Sequence, residues 1–246
     1  MPKIEVTSSS SDRQFYQLKT YNLDNEEQVK VTDTYLQNAY MPTMKRLGIS
    51  PIGVFKPKLN DGDTSHKILL LIPFNSLDQV QEIEDALVAD SEHQRLGSSY
   101  IDAAYDAPTF KRIESVLMRS FVDMPEMKPS PLRGNRSERI YELRSYESST
   151  EAIYRNKVEM FNAGGEVTLF DRIGSNAVFY GEVISGPKMP NLMYMTTYEN
   201  QESRDAHWKT FVDSPEWAAL KVRPEYQNNV SLNEKTFLYP TSYSDY

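Results

Sequence analysis

The chain has 246 residues, a net charge of −8 and no cysteine. Lack of cysteine removes disulfides, thiolate nucleophiles and Cys-based metal or iron–sulfur sites together. The acidity is spread along the chain and no basic run occurs, so the concentrated positive surface that nucleic acid requires is not expected.

No apolar run approaches the ~20 residues of a membrane span. The N-terminus, MPKIEVTSSSSDR, is polar and lacks the apolar core of a signal peptide. These features predict a soluble protein of the cytoplasm, or a periplasmic or secreted one from which a leader has been removed. Residues 1–14 read as a flexible lead-in.

Phe15–Tyr21 alternates with period two and predicts a strand. Asp24-x-x-Glu27 then predicts a capped helix striped by Val29, Leu36, Tyr40 and Leu47, which Pro42 must kink or split and Gly48 ends. Ile68–Phe74 reads as a strand, and Ser76-x-x-Gln79 caps a second helix striped by Val80, Ile83 and Leu87. Its acidic run, Asp78 to Glu92, reads as a solvated face. Phe110–Phe121 is the last strand of this group.

The same plan then recurs. FYQLKTY at 15–21 matches IYELRSY at 140–146, ILLLIPFNSL at 68–77 matches LMYMTTYENQ at 192–201, and DSEHQRL at 90–96 matches DSPEWAAL at 213–220. Three matches in one order at near-constant offset indicate a tandem duplication. In the second copy Ser148-x-x-Glu151 predicts a capping box for a helix carrying Ile153, Tyr154, Val158 and Phe161, stopped by Gly164–Gly165. Val167–Ile173, Ala177–Ile184 and Leu192–Tyr198 read as strands. Arg204–Val212 reads as a helix, Ser214–Pro215 starts another, and Thr236–Tyr239 closes the sheet. Between the copies, 122–138 holds Pro125, Pro129, Pro131 and Gly134 and reads as a linker. The expected organisation is a first half over 15–121, a second over 139–240 and a tail over 241–246.

Each half reads β-α-β-β-α-β, a four-stranded antiparallel sheet with both helices on one face. The other face needs cover, and the duplicate sheet supplies it. The fold class expected is α+β, with two sheets packed face to face around a central cleft.

Candidate site residues lie on the first strand of each half. Alternation puts Tyr141, Leu143 and Ser145 on one face and Glu142, Arg144 and Tyr146 on the other; in the first copy Gln17, Lys19 and Tyr21 match the second set. If the more apolar set lies under the helices, then Glu142, Arg144, Tyr146, Gln17, Lys19 and Tyr21 face the cleft. There a guanidinium could hold a small acid or poise Tyr146 as a proton donor; the same groups could equally form a polar network between the sheets.

The histidines are His66, His93 and His207. His66 and His93 read as surface residues, and His207, beside Trp208, reads as a rim residue with a base or haem-ligand role as the alternative. No zinc-type helical pair, phosphate loop or nucleophile elbow is present, so neither metal nor cofactor is expected. Trp208 and Trp217 read as core.

IYELRSY, the helix ending in MFNAGG, NLMYMTTY, RDAHWKTF and DSPEW resemble the NIPSNAP family of the dimeric α+β-barrel superfamily, in a two-copy bacterial form. The second half carries the resemblance strongly. The first is degenerate, with His93 where the pattern has Trp and no counterpart of Trp208. The resemblance covers roughly 15–240 and implies ferredoxin-like halves joined as an intramolecular α+β barrel. Relatives in the superfamily include cofactor-independent monooxygenases, small-molecule isomerases and haem enzymes, so the fold does not fix the chemistry. Two readings stand open: a module that binds a small molecule or mediates assembly, self-association included, and an enzyme of the monooxygenase or isomerase kind acting on a small aromatic or acidic substrate.

Overall fold

A computed structural model describes residues 13–58 and 66–246; most of the expected lead-in lies outside them. The first half runs β1 (Phe15–Leu23), α1 (Glu26–Tyr35), a π-helical turn (Leu36–Tyr40), α2 (Met41–Arg46), β2 (Gly53–Pro57), β3 (His66–Phe74), α3 (Leu77–Ala89), α4 (Ser91–Ile101) and β4 (Arg112–Ser120). The second runs β5 (Ile140–Glu147), α5 (Glu151–Phe161), α6 (Glu166–Arg172), β6 (Ala177–Ser185), β7 (Asn191–Tyr198), α7 (Gln201–Asp213), α8 (Pro215–Leu220) and β8 (Leu232–Pro240).

The eight strands form one closed barrel in the order β1-β3-β2-β8-β5-β7-β6-β4. Each half contributes its four strands in the same order. The halves join where β2 pairs with β8 and β4 with β6. Closure pairs each described strand on both sides, which removes the hazard that open edges carry.

Buried apolar side chains of the described residues fall into three large cores and a small one around Met160, Leu220 and Tyr226. One belongs to the first half and its helices, around Leu36, Met44 and Ile72. One belongs to the second half and its helices, around Phe161, Phe170 and Tyr194. The third draws on both halves, with Tyr16, Leu18, Met118, Tyr141, Leu143 and Met195 among its members, and fills the barrel interior. Packing there is close: a side chain at Gly181 on β6 would come within 3.0 Å of Met118. The central cleft expected between the sheets is therefore mostly a filled core, open at one end.

Several local readings need correction. Val167–Ile173 is not a strand but lies in α6, where a helical turn places Val167, Leu169 and Phe170 in the core. The β-rich composition yields to that burial, as strand propensity does when packing decides. The α5 cap is Thr150, not Ser148; its side chain accepts from the Ile153 amide, whereas Ser148 donates to the Asn229 carbonyl. In α1 the cap is Asn25 rather than Asp24. Ser76 caps α3 as expected. The long first helix is broken by the π-helical turn just before Pro42, the disruption that a ring lacking an amide hydrogen requires.

His93 is not a surface residue. It is 3% exposed, 3.3 Å from the Tyr35 hydroxyl through Nε2, and burial pushes its imidazole below its usual value. The α4 stripe turns it beneath the π-helical turn, against the rings of Tyr35 and Tyr40.

Because the inner face of each sheet is covered by the other half, residues 1–130 alone would expose an apolar surface and two strand edges. We expect that fragment to associate or aggregate in analytical ultracentrifugation; a monomer with a sharp thermal transition would contradict the barrel.

Candidate functional site

Two polar constellations lie on opposite faces of the same strands. The first contains the residues singled out from sequence in the second half. Glu142 is fully buried, but it points outward beneath α7 rather than into the barrel. Its carboxylate accepts from Arg144 Nε at 2.7 Å, Arg204 Nε at 2.7 Å and Trp208 Nε1 at 2.8 Å. The Arg144 guanidinium stacks on the Trp208 ring, 4.0 Å from its centroid. Arg144 also donates to the Tyr146 hydroxyl at 3.3 Å, and Tyr146 meets Tyr194 through their hydroxyls at 2.8 Å.

Burial alone would raise the Glu142 carboxyl, but bonds from Arg204 and the charge of Arg144 outweigh it and hold the group below its usual value. Burial pushes the Tyr146 phenol up despite the neighbouring Arg144 charge. The group is a satisfied ion network that ties β5 to α7, so its donors and acceptors are spent on one another.

The expectation that Glu142, Arg144 and Tyr146 face the cleft is thus corrected, and with it the placement of Tyr141, Leu143 and Ser145 under the helices. Charged side chains can be buried under α7 because Arg204 and Trp208 meet them there.

The first-half residues follow the same inversion. Lys19 pairs with Glu84 of α3 and lies over the Tyr40 ring. Tyr21 sits in the helix-side core against Tyr100 and Phe110. Gln17 is buried and donates to Ser115 Oγ at 3.0 Å. These three do not join the second-half network. His207 is half-buried on α7, its Nδ1 donating to the Ser203 carbonyl at 2.7 Å and its ring 5.5 Å from Tyr198. Trp217 packs on Phe211 at 4.6 Å.

The second constellation was not singled out from sequence. It is a pocket of about 220 Å³ at one mouth of the barrel. Its floor is apolar, with Leu18, Leu69, Val116, Leu143, Val183 and Met193. Above the floor stand Thr20, Ser145, Asn191 and Thr236, and the rim holds Lys67, Glu114, Lys188 and Glu234.

Register explains this layering. Leu18 lies opposite Leu71 and Val116, and two residues on Thr20 lies opposite Leu69 and Glu114. Leu143 lies opposite Met195 and Thr236, and two residues on Ser145 lies opposite Met193 and Glu234. Each inward-facing ladder turns polar at the same end of the barrel. That signal was present in the sequence as alternation ending in Leu-x-Thr, Leu-x-Ser and Asn-x-Met, but it is legible only once the inward face is known.

Asn191 is decisive. It is 2% exposed, its Nδ2 donates to Ser145 Oγ at 2.9 Å, and its Oδ1 has no hydrogen-bond partner among the described residues. A buried acceptor left unpaired costs about 1–3 kcal/mol; the hydroxyls of Tyr16 and Tyr141 are buried and unpartnered as well, and Asn191 differs from those two in lining the mouth pocket.

Among the described residues no group of three or more His, Asp or Glu side chains is arranged to hold a metal ion, and no helix is long and apolar enough to cross a membrane.

A closed eight-stranded antiparallel barrel made of two β-α-β-β-α-β halves, with helices outside and a pocket at one mouth, defines a duplicated ferredoxin-like α+β barrel. The NIPSNAP family model matches residues 16–119 and again 141–245. The chain belongs to the NIPSNAP family, with two tandem copies.

Among solved structures, a proposed monooxygenase from Lactobacillus acidophilus NCFM aligns over 93% of this chain and 94% of its own, at 13% identity and a TM-score of 0.61. A proposed monooxygenase from Fusobacterium nucleatum aligns over 93% and 92%, at 7% identity and a TM-score of 0.60. An uncharacterised NIPSNAP-like domain protein from Burkholderia xenovorans is 20% identical and covers 44% of this chain and 90% of its own, with a TM-score of 0.40. No curated protein matches the chain in sequence.

If the Glu142 network is a structural tie, then Glu142→Gln strands two guanidinium groups beneath α7. We expect a loss of about 3–5 kcal/mol in urea unfolding, the range for breaking a buried pair. The carboxylate's contribution is present above its unfolded value, near pH 4.3, and fades as pH falls through its depressed folded value. A loss under about 1 kcal/mol would show that the network does not hold the fold.

Proposed function

We propose that the protein binds a small molecule in the barrel mouth. The single observation behind this reading is the buried, unpartnered Asn191 Oδ1 on the wall of an apolar-floored pocket. Pockets that hold small ligands combine apolar lining with a few placed polar groups, and this one has that composition.

The buried network under α7 supports the reading from the other side. Arg144 and Tyr146, the residues whose chemistry suggested catalysis, are occupied in tying the sheet to the helix. The alternative of a monooxygenase- or isomerase-type enzyme rests on likeness of fold, which does not carry chemistry.

A probe with an apolar body and a neutral donor tests the site directly. We expect 4-methylpentanamide to bind in calorimetric titration, the amide donating to Asn191 Oδ1 and the branched chain resting on Leu18 and Leu143. Thr236→Trp, a change at an exposed position on the pocket wall, should abolish binding by filling the mouth, with the melting temperature kept. Asn191→Leu should weaken it by roughly 1–2 kcal/mol. Binding that survives Thr236→Trp unchanged, or no binding to the unmodified protein, would contradict the proposal.

A further inference from the structure

The rim of the mouth carries two pairs of opposite charge in different states. Lys188 and Glu234 are joined in an ion pair. Lys67 and Glu114 also line the pocket, yet neither makes an ion pair among the described residues.

The sheet explains why they stay apart. Lys67 lies on β3 opposite Asn22 of β1, and Glu114 lies on β4 opposite Thr20 of β1. They flank β1 from its two sides, two strand spacings or about 10 Å apart at the backbone. Asn22 stands between them and donates from Nδ2 to Glu114 Oε1 at 2.8 Å, which holds that carboxylate in place. Among the described residues, Oε2 of Glu114 and the ammonium of Lys67 have no partner and remain for a third party.

We infer that the mouth is built for a zwitterion, an α-amino acid with an apolar side chain; this rests on the mouth being the binding site. The side chain would rest on Leu18, Leu69, Leu143 and Met193. The α-ammonium would donate to Asn191 Oδ1 and to Glu114, and the α-carboxylate would accept from Lys67 and from the Thr20 hydroxyl. Among the described residues the pocket lining offers each partner in that scheme: a buried acceptor without a hydrogen-bond partner, a carboxylate and an ammonium outside any ion pair, and an apolar floor. A simple acid would satisfy Lys67 and leave Asn191 Oδ1 unpaired. A simple amine would do the reverse.

Three probes sharing a branched aliphatic body separate these cases: L-leucine, 4-methylpentanoate and 3-methylbutylamine, each titrated calorimetrically at low salt because the rim is exposed and screened. L-Leucine should bind at least about ten-fold more tightly than either single-charge analogue, a difference of about 1.4 kcal/mol. Glu114→Gln should remove most of its advantage over the acid, and Lys67→Met most of its advantage over the amine.

Equal affinity for leucine and either analogue, or a preference unmoved by both substitutions, would overturn the zwitterion inference. If 4-methylpentanamide still bound and was still lost in Thr236→Trp, the mouth itself would stand as a site for neutral or singly charged ligands. Leucine binding that Thr236→Trp leaves intact would overturn both.

Discussion

Each half of this protein makes a sheet whose helices cover only one face, and the whole architecture follows from the need to cover the other. The duplicate meets that need completely. Inner faces meet inner faces, and the free edges pair as β2 with β8 and β4 with β6. An isolated half would have apolar area and two hydrogen-bonding edges to hide; the closed barrel hides both at once. The barrel also brings ladders from both copies to an end together, and at this mouth the inward residues change from leucine, valine and methionine to threonine, serine and asparagine.

Outside the barrel, the two copies solve the attachment of sheet to helix with opposite polarity. In the second half the strand supplies the carboxylate of Glu142, and α7 supplies Arg204 and Trp208. In the first half the strand supplies the ammonium of Lys19, and α3 supplies Glu84. Both are ion pairs across the same interface, reached from unlike residues. In the repeat Lys19 aligns with Arg144 and Gln17 with Glu142, so both copies place a cation at the same strand position, while the strand carboxylate belongs to the second copy; each pair holds a helix to the sheet. The second-half version is the more elaborate, since stacking of Arg144 on Trp208 adds a cation–π contact in a desolvated setting.

Much of the fold was legible in the sequence. The repeat, strand alternation and the caps at Ser76 and Ser214 all led to two copies of one α+β unit. What could not be read was which face of each strand looks inward. Ile140–Tyr146 buries both faces, so Tyr141 and Leu143 on one side and Glu142 and Arg144 on the other give no solvent reference. Ranking faces by polarity failed because the charged face has its partners on α7, some sixty residues later in the chain. The same inversion hid the mouth, whose lining comes from all eight strands and whose polar members are single residues at the ends of apolar ladders. Val167–Ile173 was misread for a simpler reason: its β-rich letters sit three apart in the core when wound as a helix.

The central claim is that the ligand site lies inside the barrel mouth and the conspicuous arginine–glutamate cluster lies behind it as a tie. Methionine methyl groups report on both places, because Met193 lines the mouth whereas Met160 of α5 packs beside Lys157, whose ammonium lies over the Tyr146 ring on the helix side of the sheet. The most direct measurement is a methyl NMR titration of the methionine-labelled protein with 4-methylpentanamide. The account predicts a saturable shift of the Met193 methyl with Met160 unmoved. A shift confined to Met160, with Met193 silent, would place the site beneath the helices and contradict it.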